Sequence, residues 1–93
     1  MNSARLTLIV RAYCHLCDDM RDQLNALLAL MRQTRAAIVE IDVDGDPLLE
    51  ARWGDKVPVL LLEDHELCHY ALDRDAVRRA LAATAVGFDR HES

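Results

Sequence analysis

The spacing of hydrophobic positions changes several times along this chain, and each change marks an element. Residues 4 to 10, Ala-Arg-Leu-Thr-Leu-Ile-Val, are β-rich and partly alternating, which predicts a first strand. From Leu16 the apolar positions recur at helical intervals: Leu16, Met20, Leu24, Leu27, Leu28 and Met31, with Asp, Arg and Gln between them. That stripe predicts a long amphipathic helix ending near Gln33. Ala36 to Asp42 returns to a strand pattern, and Asp44-Gly45 makes a turn. Asp46 before Pro47 predicts a helix start, because Asp accepts from free N–H groups and Pro suits the first helical position. This short helix runs through Trp53 and stops at Gly54. Val57 to Leu62 forms a third strand opened by Pro58, and Glu63-Asp64 turns the chain into a fourth, about His65 to Tyr70. Asp73 caps a last helix carrying Ala76, Val77, Ala80, Leu81 and Val86, and Asp89 to Ser93 is a polar, frayed tail.

The resulting order is β-α-β-α-β-β-α. A helix between the first two strands implies a parallel pair with a right-handed crossover. The tight turn between the last two implies an antiparallel pair. A mixed four-stranded sheet with helices on both faces buries all these stripes, so the fold class is α/β. Residues 1–93 are expected to form one domain, with a core over about 4–86 and a tail over 87–93, since 93 residues suffice for one domain and not two. With 52% apolar residues but only one Trp, two Tyr and one Phe, Leu, Ala, Val and Ile must build the core.

Charge narrows the partners. A formal net charge of −5 argues against nucleic acid and against an anionic membrane surface. No apolar run approaches the roughly 20 residues that span a bilayer. Arg11 closes the Leu6–Val10 run before it reaches the length of a signal peptide's apolar region, so the expected location is cytoplasmic. Three cysteines, two of them three positions apart, do not make a secreted disulfide framework. In a reducing compartment the close pair is read as catalytic or metal-binding.

Cys14-His15-Leu16-Cys17 lies where the first strand ends and the first helix begins. A helix's first turn offers unpaired N–H groups and a partial positive charge, and both stabilise a thiolate. Three-residue spacing puts the two sulfurs on one face, close enough for a disulfide. The first cysteine is expected to be the more exposed and to attack; the second lies one turn deeper and resolves the mixed disulfide. Arg11, three residues earlier, and His15, inside the motif, are expected to add positive charge or a hydrogen bond to the sulfur.

Arg-Ala-Tyr-Cys-His-Leu-Cys at 11–17 and Lys-Val-Pro-Val at 56–59 resemble the glutaredoxin-like branch of the thioredoxin superfamily, in particular its short bacterial members grouped without an assigned function. The resemblance spans about Leu6 to Leu81 and implies a thioredoxin fold with thiol–disulfide oxidoreductase activity, Cys14 as nucleophile and Cys17 as resolving thiol. It matches Arg11 to a position that often carries Lys or Arg. It also implies that the Val57–Pro58 bond is cis and that the Val57 backbone pairs with a bound thiol substrate, a short β-augmentation. No bound cofactor is implied; the electrons come from glutathione as co-substrate or from a protein dithiol. The expected partner is a protein or small-molecule thiol or disulfide, and the chain is expected to be a monomer.

The dipeptide between the cysteines, His-Leu, departs from the Pro-Tyr of glutaredoxins and the Gly-Pro of thioredoxins. Cys68-His69 stands where many glutaredoxins carry the Gly-Gly that grips glutathione. Cys68 is read as a small buried residue, with an auxiliary thiol as the functional alternative. Two further readings stay open: a catalytically idle scaffold that recognises a peptide at Val57-Pro58, and a zinc site from Cys14, His15, Cys17, Cys68 and His69. Asp18, Asp19 and Asp22 are read as charges complementing the helix dipole, Trp53 as packing, and Arg52, Lys56 and His65 as solvated surface.

Overall fold

A computed structural model describes residues 4–31 and 35–91, with side chains through residue 83. Strands β1 (Ala4–Val10), β2 (Ala36–Asp42), β3 (Val59–Leu62) and β4 (His65–His69) form one sheet in the order β2-β1-β3-β4. Helices α1 (His15–Leu30), α2 (Pro47–Trp53) and α3 (Arg74–His91) complete the expected order, with a 3-10 turn at Val43–Gly45 between β2 and α2. β1 pairs parallel with β2 and antiparallel with β3, and β3 pairs antiparallel with β4.

β1 is central, so its alternation sorts side chains between two cores. Ala4, Leu6 and Leu8 meet Met20, Leu24 and Leu27 of α1, Leu60 of β3, and Val77 and Leu81 of α3. Ile9 points the other way and joins Val43, Trp53, Val59 and Leu61, with Leu49 packed alongside. Helices α1 and α3 therefore cover one face and the short α2 covers the other. Arg21 of α1 reaches across to edge strand β2, donating to both carboxylate oxygens of Glu40 at 2.5 and 3.0 Å and to Asp18 at 2.9 Å. These carboxylates hold its guanidinium proton more tightly than usual. Among the described residues, no helix is long and apolar enough to cross a membrane.

Several element ends differ from the sequence reading, each for a local reason. β3 begins at Val59, not Val57: Pro58 has no N–H to give a ladder, although its carbonyl accepts from Tyr70 N–H at 2.9 Å. β4 ends at His69, not Tyr70, because Tyr70 adopts φ 67° and turns the chain out of the sheet. Within β4 the register shifts: Leu60 faces Cys68 but Leu61 faces Glu66, leaving Leu67 as a bulge residue. α1 ends at Leu30, and Gln33 lies outside the described residues. α3 continues along its backbone to His91, past the expected tail boundary at 86; the side chains of Val86 and His91 lie outside the described residues.

Candidate functional site

Residues 11–14 link the end of β1 to the start of α1. Tyr13 bends the chain with φ 58°, a left-handed conformation uncommon for an aromatic residue, and its side chain is 104% exposed. Cys14 is then extended (φ −116°, ψ 106°) and occupies the position just before the helix. Its Sγ accepts the Cys17 N–H at 3.1 Å and its carbonyl accepts the Asp18 N–H at 3.2 Å. The group that caps α1 is thus the cysteine sulfur, and the acidic residues after it are not the cap. Asp18 instead engages Arg21.

Cys14 and Cys17 form a disulfide with Cα atoms 5.2 Å apart. Their environments differ as the spacing led us to expect. Cys14 is half-buried, while Cys17 is 1% exposed beneath the helix's first turn. His15 is exposed, and Leu16 beside it is 50% exposed.

The cis Val57–Pro58 bond lies at the same end of the sheet. Ile9 pairs with Val59, so the residues before Val59 stand beside the chain leaving β1. Pro58 is buried and Val57 half-buried. Among the described residues, no hydrogen bond engages the Val57 backbone. Tyr70 braces this segment from β4: its N–H meets the Pro58 carbonyl and its hydroxyl donates to the Asp55 carbonyl at 2.6 Å.

Arg11 corrects the expectation made for it. Its guanidinium faces the α2 side, donating to both Asp44 carboxylate oxygens at 3.1 Å, to Glu50 at 3.3 Å and to the Gly54 carbonyl at 3.2 Å. The bond to Asp44 leads in raising its proton affinity. Arg11 therefore fastens the Cys14 loop to the β2–α2 segment, and its charge is already matched by two carboxylates.

Cys68 sits in β4 opposite Leu60, which is itself opposite Leu8, so β3 separates it from β1 by two strand spacings, roughly 10 Å. Its thiol is free and half-buried against the α1/α3 core. Burial pushes its pKa up, partly countered by the Asp73 backbone. His69 faces Glu66 at 2.5 Å and Tyr70 edge-on. Among the described residues, no three His, Cys, Asp or Glu side chains converge as a metal ion would require, so the zinc set is not assembled. Trp53 is buried, with Arg52 and Lys56 over its ring at 4.8 and 5.8 Å, which fits its reading as packing.

Sequence reasoning missed Tyr13, Asp44, Glu50 and Tyr70 as parts of this site. Asp44 and Glu50 act 33 and 39 residues from Arg11, beyond any local pattern. Nothing in the sequence marks a positive φ at a tyrosine.

Known proteins share this fold. An NMR structure of protein Ne2328 from Nitrosomonas europaea superposes with a TM-score of 0.69 at 35% identity, covering 84% of this chain and 91% of that one. Protein XcR50 from X. campestris gives 0.66 at 34%, covering 84% and 96%. Thioredoxin 1 from Thermosipho africanus shares the fold, with a TM-score of 0.57 at 17% identity over 87% of this chain and 98% of its own. The uncharacterized protein Rv0508 of Mycobacterium tuberculosis is 30% identical, covering 94% of this chain and 92% of that protein. The glutaredoxin-like domain family (DUF836) matches residues 5–82, and with a thioredoxin fold carrying Cys14 and Cys17 at the head of α1, the chain belongs to that family.

Proposed function

We propose that this protein is a thiol–disulfide oxidoreductase in which Cys14 attacks and Cys17 resolves. The observation that carries this reading is the hydrogen bond from Cys17 N–H to Cys14 Sγ at the start of α1. A thiolate in that place accepts the same N–H and sits in the positive field of the helix N-terminus. In the reductive direction, the Cys14 thiolate attacks one sulfur of a substrate disulfide, forming a mixed disulfide and releasing the first substrate thiolate. The buried Cys17, as thiolate, then attacks Cys14 Sγ. The Cys14–Cys17 bond forms and the second substrate thiolate leaves and takes up a proton. Two electrons pass to the substrate, and a thiol reductant, glutathione or a protein dithiol, restores the pair. The unpaired backbone of Val57 supports a substrate strand lying beside Pro58.

Mass spectrometry after equilibration in stepped dithiothreitol buffers tests the proposal. The wild type and Cys68→Ser are expected to show a reversible two-dalton couple that Cys14→Ser and Cys17→Ser lack. In the reduced protein, Cys14 is expected to react with iodoacetamide at pH 7 at least about tenfold faster than a cysteine in an unstructured peptide. A chain with no reversible couple, or with a Cys14 no faster than the peptide, is not such an enzyme.

A further inference from the structure

The charges around the disulfide are unevenly spent. Arg11 lies three residues before Cys14, so their Cα atoms are at most about 11 Å apart. Its guanidinium is already held by Asp44 and Glu50, which leaves this trio one negative charge in excess. On α1, Asp18 shares Arg21 with Glu40, again one negative charge in excess. Asp19 and Asp22 are exposed in the same first two turns and have no basic partner among the described residues. At 1.5 Å of rise per residue, these carboxylates lie roughly 6–12 Å from the helix start along the axis, Asp18 and Asp19 within about one screening length (~8 Å) in physiological salt and Asp22 at about one and a half. The opposing cations are Lys56 and Arg52, which lean over the Trp53 ring; Lys56 is offset by its neighbour Asp55. Apolar residues flank Cys14 in the sequence as well: the fully exposed Tyr13 precedes it and the half-exposed Leu16 follows two residues later, and the Val57 backbone is free to pair among the described residues.

We infer that the Cys14–Cys17 site selects by charge, taking a neutral or basic cysteine-bearing protein segment with apolar neighbours and disfavouring the anionic tripeptide glutathione. The inference rests on the dithiol reading above and names its substrate class. A carboxylate carried by an incoming thiol lies farther from the helix N-terminus than the sulfur does, so it meets the surplus carboxylates, and Arg11 is occupied by Asp44 and Glu50. A basic segment meets those surplus carboxylates with opposite sign, which raises its encounter rate, while Tyr13 and Leu16 offer contact to its apolar side chains. The exchange itself is balanced: a segment's thiolate attacks Cys14 Sγ, the Cys14–Cys17 bond breaks, and Cys17 leaves as the thiolate. A second thiolate then attacks the segment's sulfur in the mixed disulfide and releases the Cys14 thiolate, so two electrons enter the protein and one disulfide forms between the segments.

Stopped-flow reduction of the oxidised wild-type protein by three thiols tests this. The thiols are the capped peptide Leu-Lys-Cys-Leu-Lys, its Leu-Glu-Cys-Leu-Glu counterpart and glutathione, with rates normalised to thiolate concentration. At 20 mM salt the basic peptide is expected to react at least about threefold faster than the acidic one, and glutathione no faster than the acidic one. The ratio is expected to shrink at least about twofold in 500 mM salt and in D44N/E50Q, whose folding is checked by circular dichroism. Because the salt arm uses wild-type protein, the test stands even if that variant does not fold. A smaller basic-to-acidic ratio overturns the inference. So does saturable reduction by glutathione that Arg11→Gln or Lys56→Gln abolishes. If dithiothreitol itself cannot reduce the Cys14–Cys17 bond, the dithiol reading fails; a reducible bond without charge preference defeats only the selectivity.

Discussion

Cys68 and Tyr13 show how a single residue's surroundings set its energetics, one by burial and the other by backbone conformation. Cys68 is half-buried, and that burial raises its thiol pKa above the usual range near 8.5. In the unfolded chain the thiol ionises first. The folded state keeps the proton to higher pH, so the stability it contributes is complete below about pH 8.5 and is lost as pH rises toward the folded value. Denaturant unfolding between pH 7 and 10 is therefore expected to lose less stability in Cys68→Ala than in the parent, both carrying Cys14→Ser and Cys17→Ser. Equal pH slopes would remove the burial argument. Tyr13 is the converse case, fully exposed and held at φ 58°. Its side chain buries nothing, and the left-handed conformation costs a tyrosine on the order of 1 kcal/mol, whereas Asn tolerates it. Tyr13→Asn is thus expected to leave stability unchanged or raise it by up to about 1 kcal/mol in urea unfolding. A loss above that size would mean that the ring has a structural contact.

At the scale of elements, the helices are set by their first residues. Asp46 accepts Leu48 N–H at 2.8 Å and Asp73 accepts Ala76 N–H at 3.0 Å, so each satisfies a donor that its helix leaves unpaired. Asp46→Ala and Asp73→Ala are each expected to cost about 1 kcal/mol in chemical denaturation. They belong to helices on opposite faces of the sheet, so the double variant is expected to lose the sum. Both caps were legible in the sequence because a cap is local: the acceptor and the N–H it receives lie within one turn. The same locality made β1 and β2 readable to the residue and placed Cys14 and Cys17 at a helix start. Legibility failed where the deciding contact was distant or conformational. The strand expected from Val57 began at Val59 because of a proline's missing donor, β4 stopped at a left-handed Tyr70, and Arg11 turned to Asp44 and Glu50 across the fold.

For the whole molecule, the question is how much of its stability the Cys14–Cys17 bond supplies, since the proposed exchange requires the chain to stay folded in both states. The bond closes a loop of only four residues, and constraint of so short a loop in the unfolded chain is worth about 2 kcal/mol. The two cores are built without it. Leu6, Leu8, Leu24, Leu60 and Leu81 on one face, and Ile9, Val43 and Val59 on the other, are almost wholly removed from water, and burying each such side chain contributes roughly 1.5–3 kcal/mol. In the proposed dithiol reading, a Cys14 thiolate at the helix start works in the same direction, stabilising the reduced folded form and offsetting part of the lost constraint. Reduction is therefore expected to lower Tm by no more than about 15 °C, with the reduced chain still unfolding in one cooperative step. Leu24→Ala, which empties the centre of the larger core, is expected to cost about 2–5 kcal/mol in either redox state. Calorimetry of the oxidised and reduced protein, with and without that substitution, separates the two contributions. If reduction alone abolished the transition, the disulfide and not the sheet's two cores would be holding this fold together.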